Sequence, residues 1–90
     1  MELYIITFKN GNYTVAAYNE FRKLNMRNIK LSPVPFAIRG ECDVCIKTID
    51  YETLKEIIRQ SRGRYPVDKV YSSIRINGIQ TYKILPLIIE

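Results

Sequence analysis

The chain has 90 residues, 47% of them hydrophobic, with 14 Lys and Arg against 9 Asp and Glu, a net charge of +5 and no histidine. A chain of this size holds one domain, residues 1–90, around a single core, and it favours a surface or subunit-interface site over a deep pocket. The missing imidazole excludes Ser-His and Cys-His nucleophile pairs, histidine zinc ligands and any unperturbed side chain that titrates near neutrality.

The opening MELYIITFKN runs directly into an apolar segment, with an acid at Glu2 and without the basic region and cleavage site of a signal peptide. Leu3 to Phe8, continuous in β-branched and aromatic residues, predicts a central strand. Asn10-Gly11-Asn12 breaks it. Ala17, Phe21 and Leu24, joined by Tyr18, then recur at helical spacing and predict a first helix from Tyr13 to Leu24, capped by Asn12, with Glu20, Arg22 and Lys23 outward. Ile29 to Leu31 begins a short second strand that Pro33 and Pro35 stop.

Val44 to Thr48 predicts the third strand, and Asp50 caps a second helix in which Tyr51, Leu54, Ile57 and Ile58 form the buried stripe, ended by Gly63. Arg62-Gly63-Arg64 reads as a helix end whose cations suit the macrodipole rather than as a phosphate clamp. A fourth strand follows around Lys69 to Ile76. The order predicts an α+β fold, a ferredoxin-like β-α-β-β-α-β antiparallel sheet with two helices on one face, over residues 1–76. Asn77-Gly78 is a strong type I′ hairpin signal that sets Ile76 opposite Ile79 and adds a C-terminal hairpin strand, Ile79 to Leu85, within residues 77–90. The apolar tail Leu85 to Glu90 is expected to pack on its own domain or on a second subunit, which makes a homodimer through an edge strand or this tail a candidate assembly.

The segment Ser32 to Lys47, SPVPFAIRGECDVCIK, carries the chemistry if the chain has any: two prolines, one glycine and both cysteines fall within it. A reactive thiol needs exposure and a stabilised thiolate. Cys42 is the first candidate, with Arg39 as a thiolate stabiliser opposed by Glu41 and Asp43, and the alternative is a small buried hydrophobe. Cys45 is the second candidate. Strand alternation puts Val44 and Ile46 toward the helices and Cys45 on the opposite face from Cys42, which disfavours a disulfide or redox pair between them. One C-x-x-C supplies two of the four ligands of a structural metal site, so no metal and no cofactor is expected.

From Tyr4 to about Tyr71 the layout resembles a family of small bacterial domains of unknown function described as sulfur/selenium carrier-like. The residues that carry the resemblance are Ile6-Thr7-Phe8, Leu31-Ser32-Pro33-Val34-Pro35, Ile38, Cys42 and the closing Val70-Tyr71. The chain departs from the family at Phe36, at Arg39-Gly40-Glu41 and at Asp43, and Cys45 is an addition to the pattern. The resemblance implies a sulfur or selenium carrier, or an associated thiol protein, that uses Cys42 on the loop before the third strand and exchanges with a donor or acceptor protein.

The alternative is a non-catalytic dimerising interaction module with structural cysteines. No phosphate loop, dinucleotide glycine motif or spaced carboxylate pair marks an enzyme that turns over a small substrate. The basic residues are scattered and the tyrosines read as structural, several of them on helix stripes, so nucleic acid is not an expected partner. No apolar stretch approaches the roughly 20 residues that cross a bilayer, and the expected location is the bacterial cytoplasm.

Overall fold

A computed structural model describes residues 2–38 and 44–86. Within them the elements run β1 (Leu3–Phe8), α1 (Gly11–Lys23), β2 (Lys30–Pro33), β3 (Val44–Thr48), α2 (Tyr51–Ser61), β4 (Val67–Ile76) and β5 (Ile79–Leu85). Every strand pairing is antiparallel and the sheet order is β2-β3-β1-β4-β5, so the fold is α+β, with five antiparallel strands and two helices.

The run of apolar residues in β1 explains its place in the sheet. Successive side chains point to opposite faces, yet Ile5 and Ile6 are both fully buried, so β1 is covered on both sides. On one face Tyr4, Ile6, Phe8, Ile46 and Val70 meet Ala17 and Phe21 of α1 and Leu54, Ile57 and Ile58 of α2. Each such large apolar side chain stabilises the fold by about 1.5–3 kcal/mol relative to exposure. On the other face Ile5 and Cys45 pack with Val34, bordered by Leu3, Ile38, Tyr71 and Tyr82.

Two helix starts differ in detail from the expectation. The N-cap of α1 is Asn10, not Asn12: its side-chain oxygen accepts from the Tyr13 N–H at 3.0 Å, and the helix already includes Gly11 and Asn12. Leu24 follows the helix and is half exposed, while Thr14 takes a buried place on the stripe, its hydroxyl donating to the Asn10 carbonyl at 3.2 Å. Asp50 takes the N-cap position of α2 as expected, but with no side-chain cap bond to the backbone; its carboxylate accepts instead from the Thr53 hydroxyl at 2.7 Å. Tyr51 does not belong to the buried stripe. It is half exposed and tilts against Tyr4, whereas Ser61 completes the buried set.

The helix tyrosines divide: Tyr18 is partly buried against the core, as its place on the stripe predicts, whereas Tyr13 and Tyr51 are exposed; Tyr4 on β1 is buried. Glu20 does not simply face solvent either. It receives the Tyr65 hydroxyl at 3.0 Å and the Arg64 guanidinium, which ties α1 to the segment after α2. The β4–β5 hairpin closes as expected, with Ile76 opposite Ile79 and with Asn77 and Gly78 both at positive φ, +51° and +79°. Among the described residues no helix is long and apolar enough to cross a membrane. The tail from Leu87 onward lies outside the described residues.

Candidate functional site

Pro33 ends β2 and pairs with Val44, the first residue of β3. A proline is tolerated there because β2 is an edge strand, where the missing N–H removes no inner ladder bond. Beyond it Val34 turns back onto the helix-free face and is buried, and the Ile38 N–H donates to the Pro35 carbonyl at 2.9 Å in a tight turn. Ile38 packs at the margin of the same cluster. Residues 39–43 thus connect two ends that are each held against the sheet.

Cys45 sits in the middle of this arrangement. It pairs with Ser32 across the β2–β3 ladder, is 0% exposed, packs with Ile5 and Val34, and directs its Sγ toward the Pro33 carbonyl at 3.8 Å. The alternation expected from the sequence holds, with Ile46 in the helix-side core and Cys45 on the other face. Cys42 and Arg39 lie outside the described residues, as do Gly40, Glu41 and Asp43.

Two further features lie on the β2–β3 hairpin. Phe36 is 83% exposed, although its neighbour Val34 is buried, so the turn at Pro35 presents an aromatic ring to solvent. Sequence reasoning treated Phe36 only as a departure from a pattern. The alternation of a buried Val34 with an outward Phe36 across Pro35 is the signal that marks it. At the far end of the hairpin Lys30 stands opposite Lys47, beside a groove of about 420 Å³ lined by Leu3, Asn28, Ile29, Lys30, Lys47, Thr48 and Ile49. Like charges placed directly opposite on two strands destabilise the pairing and leave this margin basic.

The titratable groups that the fold shifts belong to structural contacts. Hydrogen bonding to Arg64, and then to Tyr65, holds the Glu20 carboxyl below its ordinary value, and the Thr53 hydroxyl does the same for Asp50. Burial pushes the Tyr4 and Tyr65 phenols up, reinforced by hydrogen bonds to Glu2 and Glu20. Among the described residues no three His, Cys, Asp or Glu side chains come together as metal ligands.

The sequence pattern of a family described as "Putative Se/S carrier protein-like" matches residues 3–86, from the first residue of β1 to the residue after β5. The chain belongs to that family. No curated protein and no solved structure matches it. In this Se/S carrier-like chain the match takes in the β4–β5 hairpin as well as the β2–β3 segment, so β5 is part of the family domain.

Proposed function

We propose that this protein is a sulfur or selenium carrier that holds the transferred atom on Cys42, on the ferredoxin-like plan with the β5 hairpin added. The observation that carries the reading is the burial of Cys45: one thiol of the C-x-x-C pair is enclosed by Ile5 and Val34, so exchange chemistry falls to the other. In sequence Cys42 stands two residues before Val44, the first residue of β3. Arg39, three residues earlier, favours the thiolate, and Glu41 and Asp43 oppose it.

In loading, the Cys42 thiolate attacks the outer sulfur of a donor persulfide; a new S–S bond forms on Cys42 and the donor leaves as a thiolate. In discharge, an acceptor thiolate attacks that outer sulfur and Cys42 leaves as the thiolate. The two steps balance without an external oxidant or a cofactor, and selenium in the outer position follows the same course. Donor and acceptor are proteins in this reading. The exposed Phe36 ring, which follows Pro35, offers an apolar contact for such a partner. The bacterial cytoplasm, where thiols stay reduced, is the compartment that suits such exchange.

The test is intact mass of protein purified without reductant, with thiol alkylation at neutral pH of wild type, Cys42→Ser and Cys45→Ser. Rapid labelling that disappears in Cys42→Ser, or an adduct of about 32 Da that disappears with it, is the expected result. Labelling retained in Cys42→Ser, or thiols inert until the protein is unfolded, would overturn the carrier reading. The second reading is a non-catalytic dimerising module whose cysteines are structural. The exposed Ile79 and Ile84 on β5, at the edge of the sheet, favour it.

A further inference from the structure

The sheet has two edges of different character. β2 is four residues long, begins at Lys30 and ends at Pro33, and a short edge strand bearing a lysine and a proline resists pairing with another chain. β5 is seven residues long, Ile79-Gln80-Thr81-Tyr82-Lys83-Ile84-Leu85, has no proline and carries one charge. Among the described residues no strand pairs with its outer side. Ile79 and Ile84 are 67% and 57% exposed, and Ile74 and Ile76 of β4 are exposed beside Ile79 near the hairpin tip.

The register of the hairpin fixes which backbone groups face outward. A two-residue turn closes on a hydrogen-bonded pair, here Ile76 and Ile79, and bonding alternates along an antiparallel ladder. Ile79, Thr81, Lys83 and Leu85 therefore bond to β4, while the N–H and C=O groups of Gln80, Tyr82 and Ile84 point away from the sheet. This outward set is symmetric about Tyr82. A second β5 turned about a two-fold axis at Tyr82 sets Gln80 against Ile84, Tyr82 against Tyr82, and Ile84 against Gln80, with about six backbone hydrogen bonds.

The side chains agree with the same centre. Ile79 comes opposite Leu85, apolar against apolar on the helix side of the sheet, and Lys83 comes opposite Thr81, so no like charges are opposed. The chain continues past Pro86 as Leu-Ile-Ile-Glu. In this arrangement the Leu85 end of β5 meets the Ile79 end of the other copy, where Ile74 and Ile76 are also exposed.

We propose that the protein forms a two-fold dimer by antiparallel pairing of β5 with β5 of a second copy, centred on Tyr82, so that the two sheets become one. The proposal rests on the dimerising half of the second reading and is independent of thiol reactivity, so failure of one does not imply failure of the other. It uses β5 and leaves the opposite edge strand, β2, outside the interface.

Light-scattering mass of the full chain under reductant at tens of micromolar, together with circular dichroism, tests it. Wild type is expected at twice the monomer mass, and Ile84→Lys, a change at an exposed site, at the monomer mass with an unchanged spectrum. In a Cys42→Ser background, Tyr82→Cys is expected to oxidise to a disulfide-linked dimer, because the two-fold axis sets residue 82 against itself, and Thr81→Cys is not. A monomeric wild type, a dimer that survives Ile84→Lys, or cross-linking as efficient at residue 81 as at residue 82 overturns the proposal.

Discussion

At the scale of single residues the two cysteines divide their roles through position in the ladder. Cys45 lies inside β3, where alternation drives it under Val34 and against Ile5, and its sulfur packs as a small apolar group that also makes a weak contact to the Pro33 carbonyl at 3.8 Å. Replacing it by serine puts a hydroxyl into a site with no exposed surface. Cys45→Ser is expected to lose about 1–3 kcal/mol in urea unfolding, from the desolvation of that hydroxyl. Cys45→Val, which keeps the site apolar, is expected to lose less. A Cys45→Ser variant as stable as wild type would mean that the site admits water. The cap of α1 gives a second case. Asn10→Ala removes the acceptor of the Tyr13 N–H and is expected to cost about 1 kcal/mol, whereas Asn12→Ala, inside the helix, is expected to be close to neutral in thermal unfolding.

At the scale of elements, legibility followed how local the deciding physics is. β3 and β5 have the bounds that the sequence predicts, since β-branched runs end at turn residues and Asn77-Gly78 admits one tight turn. The α1 cap was misread because Asn10 and Asn12 flank Gly11 and both suit a cap; only the geometry at Tyr13 distinguishes them. Tyr51 follows the apolar period of α2, yet the first turn of a helix reaches past the core, and there the ring lies over Tyr4 with half its surface wet. The burial of Cys45 depends on Val34, which arrives from a segment outside any strand, and no periodicity encodes that contact. For the candidate thiol Cys42 and for Arg39 the argument is chemical, from residue type and spacing. The hairpin supplies the prediction at this scale. Gly78 has φ +79° and open space where a Cβ would stand, so Gly78→Ala meets backbone strain alone. It is expected to cost about 1–2 kcal/mol and to lower Tm by roughly 5–15 °C, with Gly78→Asn, better suited to that region, losing less.

At the scale of the whole molecule, a contact that joins distant parts of the chain is also one through which stability depends on pH. Glu20 on α1 accepts from Arg64 and Tyr65, which follow α2, and these bonds hold its folded-state pKa below the ordinary 4.5. Asp50, at the start of α2, is held below 3.8 by Thr53. In both cases the unfolded chain binds the proton more readily than the folded one. Their contribution is therefore complete above the unfolded values and is lost as pH falls through 4.5 and on through the lower folded values. The phenols act at the other end. Burial raises Tyr4 and Tyr65 above 10.0, so the folded state holds their protons longer, and that stability is lost as pH rises past 10.0 through the raised values. Tm followed across this range is expected to be flat between the two limits and to fall on either side. Glu20→Gln separates the contributions: it is expected to flatten the acid limb by removing the titrating carboxylate, and to lower Tm at neutral pH because Arg64 loses its charged partner. An acid limb as steep in Glu20→Gln as in wild type would assign the pH dependence to Asp50 and the other carboxylates instead of to the link between the two helical segments.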